Sequence, residues 1–366
     1  MVLIPFPKKL EESLGTFRIS GLSLIYLDTS CDYADFEAAL ALRDEILGSA
    51  GTKPAITRGK YTKGTSSETV DETHPVGQDT AYPANLIVLR KTTRSGPVKS
   101  GASKKPAISP VQASSDAVTA SDSPSQQSYV LTVDRDAIVI TGNGSSGLYY
   151  GIQTLRQLIR NFGAEIPCLR VEDSPSLQYR GFYHDITRGK VPALETLKEL
   201  ADRLSFYKIN QLQLYIEHSF AFRKHSEIWT DSDPLTAEDI LVLDEYCRRR
   251  SVELVPSLSS FGHLYHALVS KTFRHLNEYE DIPDRPFTWT DRMAHYTLDA
   301  SAPESLGFVR DMIDEFIPLF TSDKFNICCD ETFDLGKGKN STLAAEIGEG
   351  KLYLYFVRGL IEHLKS

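Results

Sequence analysis

Phe325-Asn326-Ile327-Cys328-Cys329-Asp330-Glu331-Thr332 is the stretch on which the fold turns. It reads as a short buried strand that stops at two adjacent carboxylates. Phe325, Ile327, Cys328 and Cys329 supply the apolar or small side chains a buried strand wants. Asp and Glu are poor strand formers and costly to bury. A carboxylate pair where a buried strand runs out is where a parallel barrel places its chemistry. A surface turn is the plainer alternative; the buried look of the preceding strand, with Gly336 and Gly338 following in a loop, favours a site. On an ideal strand Asp330 and Glu331 point to opposite faces, so both reach one pocket only if the backbone bulges or turns there.

Working back from this stretch, an alternation of strands and helices begins at Leu177. Strands are expected over 179–186, 211–217, 252–259 and 324–329, and helices over 194–207, 236–250, 301–319 and 352–364. Thr236 is the expected cap of the second helix, and Ser301 with Glu304 has capping-box spacing for the third. Four βα units in a row imply a parallel sheet, either a barrel or an open doubly wound sheet.

Residues 1–175 read as a smaller α/β domain, and 176–366 as the second domain. Strands are expected over 22–27 and 85–90, a hairpin over 128–141, and helices over 36–47 and 147–162. Residues 93–127 are rich in Ser, Thr, Ala, Pro and Lys without periodicity and are expected to form a disordered insertion.

The chain has 366 residues, 41% hydrophobic and 24% charged, with a net charge of -9. That composition suits a soluble globular protein. The acidic balance, with no basic stripe, argues against a nucleic-acid partner. No apolar run is long enough for a membrane span. The five cysteines, Cys31, Cys168, Cys247, Cys328 and Cys329, are odd in number and do not form a disulfide framework. A metal site on Cys328 and Cys329 lacks a second Cys/His pair at ligand spacing. Reduced thiols, and an N-terminus without the pattern of a leader, point to a cytoplasmic location. No cofactor or metal is expected.

The polar residues at the four strand ends are Arg180, Asp185 and Arg188; Glu217 and His218; Ser259, Ser260 and His263; and Asp330 and Glu331. Each has a plain structural reading: His263 as a satisfied core histidine, Asp185 as a cap for the turn at Thr187. Together they describe one polar rim.

Arg180-Gly181-Phe182-Tyr183-His184-Asp185-Ile186-Thr187-Arg188, then Phe261-Gly262-His263, then Cys328-Cys329-Asp330-Glu331-Thr332 resemble the family 20 glycoside hydrolases, the β-N-acetylhexosaminidases. Gly147-Leu148-Tyr149-Tyr150-Gly151-Ile152-Gln153-Thr154-Leu155 is similar to that family's N-terminal α/β domain. The resemblance implies a small α/β domain followed by a (β/α) TIM-type barrel. It implies removal of terminal β-linked N-acetylglucosamine or N-acetylgalactosamine with retention, the substrate's 2-acetamido oxygen attacking the anomeric carbon. Asp330 would hold the acetamido group, and Glu331 would protonate the leaving oxygen and then activate water. Arg180 would bind the sugar's outer hydroxyls, His263 would position the acid, Glu217 would be a further substrate contact, and Asp185, with Arg188, would hold the rim together.

The chain departs from the family at Cys328-Cys329, where Gly-Gly is common, and at Glu217-His218. It also departs in length. A full barrel takes about 250 residues and eight strands, and the residues from 176 on supply four strands. Only about the first half of a barrel is therefore expected. The chain is then a fragment of a longer enzyme, or a second copy or another partner completes the barrel. A non-catalytic sugar-binding or scaffold protein is the competing reading.

Overall fold

The structure, a computed structural model, describes residues 1–61, 85–92, 123–230, 232–280 and 296–366. It divides into two units, one built from residues 1–180, 203–210 and 248–252, the other from 181–202, 211–247 and 253–366.

Among the described residues the first unit is a seven-stranded mixed sheet with two helices. Its strands are β1 (Lys9–Arg18), β2 (Leu24–Asp28), β3 (Ala55–Gly59), β4 (Leu86–Lys91), β5 (Tyr129–Val133), β6 (Ala137–Gly142) and β7 (Glu165–Asp173), in the order β1-β7-β5-β6-β4-β2-β3. The helices are α1 (Tyr33–Ala50) and α2 (Ser145–Phe162). Period-2 alternation places Leu131 and Val133 of β5 and Ile138 and Ile140 of β6 in the core. The expected hairpin is present, with β5 and β6 antiparallel around Asp134–Asp136. The helix α1 opens with a capping box between Asp32 and Asp35 and closes at left-handed Gly51. Helix α2 lies so close to the sheet that a Cβ at Gly147 would fall 2.2 Å from the Ser128 carbonyl, so glycine there is a packing requirement. Strands β1, β3 and β7 were not apparent in the sequence: β1 is polar along its exposed length, and β3 is five residues with little burial.

The candidate insertion over 93–127 lies outside the described residues up to 122. Its last five residues are a hydrogen-bonded turn instead of a disordered stretch: the Gln126 and Gln127 amides donate to the Ser123 carbonyl at 2.9 and 3.2 Å.

The second unit begins with a parallel sheet of β8 (Gly181–Asp185), β9 (Gln211–Tyr215) and β10 (Glu253–Val255), in the order β10-β9-β8. Its helices are α3 (Leu194–Phe206, whose last residues belong to the first unit), α4 (Ala237–Arg248), α5 (Tyr265–Leu268), α6 (Pro303–Phe316), α7 (Ser341–Ile347) and α8 (Glu349–Lys365). This is a partial (β/α) barrel in which, among the described residues, no strand pairs with the outer edge of β8.

Two details correct the sequence reading. The fourth strand contracts to one parallel bridge, Asn326 to Ser257, in which the Leu258 amide donates to the Asn326 carbonyl at 3.0 Å and the Asn326 amide to the Pro256 carbonyl at 2.9 Å. Phe325 and Ile327 are half-buried, since among the described residues no further strand lies beyond them, and extended backbone ends at Cys328, whose φ is +41°. At the other edge Phe182 and Tyr183 are 41% and 49% exposed. Helix α6 does not use Ser301 as its cap. Ala302 takes that place with Pro303 at the first helical position, and the Ser301 hydroxyl donates to Asp299. Thr236 caps α4 as expected, exchanging hydrogen bonds with Asp239. Among the described residues no helix is long and apolar enough to cross a membrane.

Within the first unit, buried Lys208 donates to Tyr129 at 2.8 Å and pairs with Asp173 at 3.2 Å. Burial pushes its ammonium below the usual lysine value against the pull of Asp173. Asp173→Asn leaves that cation without a counter-charge, and urea unfolding of the chain should show a loss of about 3 kcal/mol. Lys208→Met in the same background should recover most of it. An unchanged midpoint in the single variant would show that the pair carries no stability.

Candidate active site

The C-terminal ends of β8, β9 and β10, with the segment after Asn326, form one polar rim. Glu217 lies two residues past β9, and its side chain is 3% exposed. A buried carboxylate needs donors, and Glu217 Oε1 accepts from the Tyr215 hydroxyl at 2.9 Å and from Arg188 Nη2 at 3.2 Å. Nδ1 of His263 stands 3.9 Å from the same oxygen, and His218 Nδ1 stands 3.9 Å from the other. Burial, with the Glu217 charge added, drives the Tyr215 phenol far above its ordinary value, so it remains a donor.

Arg188 reaches this carboxylate from the turn that follows β8. Asp185 Oδ1 accepts the Thr187 and Arg188 amides at 2.9 and 3.1 Å, and its Oδ2 accepts Arg188 Nη1 at 3.1 Å. The plain reading of Asp185 as a turn cap therefore holds, and the cap also aims the guanidinium. Arg188 is in addition 4.9 Å over the Tyr215 ring. Burial works against its charge, but Tyr215, Glu217 and Asp185 outweigh it and hold its pKa above the ordinary value.

His263 sits in the left-handed region, with φ +61°. Its Nε2 is 3.1 Å from Glu331 Oε2 and 3.6 Å from Asp330 Oδ2. Glu331 has φ +51°, and its carbonyl accepts the Phe333 amide at 2.8 Å. The chain thus turns at the carboxylate pair, as the requirement that both reach one pocket predicts. The turn is tight against its neighbour: a Cβ at Gly262 would lie 2.6 Å from the Asp330 carbonyl. Below it, the Cys328 thiol contacts the Tyr183 hydroxyl at 3.3 Å and the Ser257 hydroxyl at 3.1 Å. Burial raises both thiols, that of Cys329 to about 11, so they stay protonated near neutral pH.

The structure therefore brings together Asp185, Glu217, His263, Asp330 and Glu331. It does not bring Arg180 to them. Arg180 stands before the first residue of β8, at the opposite end from the rim, and a five-residue strand spans roughly 16 Å. Its guanidinium donates to the carbonyls of Leu177, Gln178 and Lys208. Arg188, which the sequence placed at the rim with Asp185, is the arginine that stands there, at the C-terminal end of the strand where the chemistry of parallel sheets gathers. Tyr215 and Tyr296 were missed. Tyr296, stacked on His263 with centroids 5.2 Å apart, had no motif to mark it. Of the tryptophans, Trp289 lies outside the described residues, and Trp229 follows a 3-10 turn, its indole donating to the Phe222 carbonyl.

One ring nitrogen and two carboxylate oxygens, from His263, Asp330 and Glu331, lie within 4.8 Å of one another. A divalent cation could accept that set. The same arrangement is an acid–base constellation that needs no ion, a histidine held against one carboxyl beside a second charge.

Two sequence profiles match this chain: "Glycosyl hydrolase family 20, domain 2" over residues 1–174 and "Glycosyl hydrolase family 20, catalytic domain" over 177–353. The chain belongs to glycosyl hydrolase family 20. The curated beta-hexosaminidase of Porphyromonas gingivalis is 25% identical over 235 residues, covering 56% of this chain and 29% of that protein. Beta-hexosaminidase subunit A1 of Dictyostelium discoideum is 25% identical over 223 residues, covering 56% and 39%. The solved chitobiase of Flavobacterium johnsoniae superposes with a TM-score of 0.72 at 20% identity, over 99% of this chain and 50% of that one. The N-acetyl-beta-hexosaminidase of Streptomyces plicatus gives 0.69 at 19%, over 99% and 63%. At that identity the solved structures establish the fold. This family 20 chain spans well under half the length of these curated relatives.

Because any side chain at 262 meets the Asp330 carbonyl, Gly262→Ala should lower stability by about 1–3 kcal/mol, read by chemical denaturation. An unchanged transition would mean that the two segments separate freely.

Proposed function

We propose that this chain supplies the acid–base half of a glycosidase. The reaction is removal of terminal β-linked N-acetylglucosamine or N-acetylgalactosamine from glycans, with retention and with the substrate's 2-acetamido group as nucleophile. The observation that carries this reading is the turn at Asp330 and Glu331, which aims adjacent carboxylates at one place with His263 on the second. Adjacent carboxylates on one turn, both facing His263 Nε2, suit two groups on the same side of the sugar, one holding the acetamido N–H and one serving the leaving oxygen.

In this reading Asp330 orients the acetamido group and stabilises its developing positive charge. Glu331 protonates the departing oxygen and then takes a proton from water. His263 keeps Glu331 in line, and Glu217 fixes His263 and Arg188 from behind. Arg188, partly exposed at the rim, takes the role of donor to sugar hydroxyls expected of Arg180. The five cysteines, free and buried, support a reducing, cytoplasmic location.

A second reading has a specific observation behind it. The side chains of Asp330 and Glu331 are 62% and 48% exposed, and among the described residues no strand pairs with the outer edge of β8. The rim then binds a sugar without turning it over until a second copy or the remainder of a longer chain encloses it.

Glu331→Gln separates the two readings. With a chromogenic β-N-acetylglucosaminide, turnover should fall about 10²-fold or more if Glu331 is the acid, with binding of N-acetylglucosamine kept. Wild-type turnover in the variant would remove Glu331 from the mechanism. The arginines divide similarly. Arg188→Met should raise KM about tenfold or more, the loss of a charged hydrogen bond. Arg180→Met should leave KM alone and lower the unfolding midpoint.

A further inference from the structure

We infer that Asp334 and Tyr296 are positioning residues for Glu331, acting on it through His263. The inference rests on the reading of Glu331 as the acid. Asp334 follows Glu331 by three residues, is 2% exposed, and its Oδ2 accepts the amides of Tyr296 at 3.0 Å and Thr297 at 3.3 Å. The Tyr296 carbonyl in turn accepts the amide of Leu264, the residue after His263, at 3.0 Å, and the Leu298 amide donates to the Phe261 carbonyl at 3.1 Å. The segment 296–298 is thereby laced to the His263 segment on one side and to the Glu331 turn on the other.

The rings complete the circuit. Tyr296, 1% exposed, lies parallel to the His263 imidazole, with centroids 5.2 Å apart and planes 2° from parallel. Tyr215 meets the same imidazole edge-on, at 6.3 Å and 87°. Between them the imidazole plane is fixed, and Nε2 is left 3.1 Å from Glu331. His263 and Glu331 both hold left-handed backbone, which residues other than glycine keep only where the surroundings enforce it. Asp334 and Tyr296 are that enforcement. The Tyr296 hydroxyl is buried and has no hydrogen-bond partner among the described residues, so its contribution is the ring and the backbone, and phenylalanine should replace it.

The test uses Tyr296→Phe, Tyr296→Leu and Asp334→Ala in the full chain, each checked for native circular dichroism. The carbon-bound imidazole protons of His263, assigned by their loss in His263→Gln, report the stacking directly. They should keep their chemical shifts in Tyr296→Phe and move in Tyr296→Leu and Asp334→Ala. Turnover of the chromogenic β-N-acetylglucosaminide should follow the same order. The Phe variant should match wild type, while the other two lose about tenfold or more in kcat with KM little changed. Resonances that stay in place in a folded Tyr296→Leu protein would overturn the inference, as would a Phe variant as impaired as the Leu variant. Should the wild-type chain show no turnover, the hydrolase reading fails for this chain, and the His263 resonances still decide the positioning role.

Discussion

A single buried carboxylate organises the rim. Glu217 is removed from water at the end of β9, and an isolated carboxylate there would cost several kcal/mol. The cost is offset by donors that come from different parts of the chain: Arg188 after β8 and Tyr215 on β9, with His263 beyond β10 facing the same oxygen. Satisfying one charge therefore fixes the relative positions of three strand ends. Asp185 contributes by aiming Arg188, and Thr187 by accepting the Glu217 amide at 3.1 Å. The exposed carboxylates, Asp330 and Glu331, are then placed against a histidine that is already oriented.

Backbone strain collects where the charges meet. His263, Cys328 and Glu331 all have positive φ, each costing on the order of 1 kcal/mol. None is glycine. The close approach of Gly262 to the Asp330 carbonyl shows how little room the two segments leave each other. Strain of this kind persists when hydrogen bonds and packing leave no alternative; at His263 and Glu331 those are the Asp334 and Tyr296 contacts inferred above, and at Cys328 the Tyr183 and Ser257 hydroxyls. A rigid strand end would have sent Asp330 and Glu331 to opposite faces. The strained turn is what lets two consecutive residues serve one place.

The parts of this arrangement that follow local rules were legible in the sequence. Apolar strand-like runs exposed β2, β4, β5, β6, β8, β9 and β10, helical spacing exposed α1 to α4, α6 and α8, and the abrupt change from Phe325-Asn326-Ile327 to Asp330-Glu331 marked the site. Arg180 was misplaced against a local rule, since it precedes β8 and only Arg188 follows the strand's C-terminal end. What else escaped was tertiary. Ser301 has the spacing of a capping box, but the Asp299 carboxylate competes for its hydroxyl and Ala302 with Pro303 starts the helix. The fourth strand read as buried because its residues are apolar. It is half-exposed because burial requires a neighbour on each side. Tyr296 and Asp334 carry no motif, and their importance lies in what they touch, 33 and 71 residues beyond His263.

The charged and the apolar parts of the rim differ in completeness. Glu217, Arg188, Asp185, Tyr215, His263 and Glu331 find their partners among themselves, all within the second unit. The apolar floor does not close in the same way: Tyr183 bonds Ser257 and Cys328 but stays 49% exposed, and Phe182 beside it is 41% exposed. Among the described residues no strand pairs with the edge of β8 that carries them. Short-range contacts fix the charged groups of this rim among themselves. Exclusion of water depends on enclosing surface, and exposed Phe182 and Tyr183 mark where the acid–base chemistry proposed above would need it.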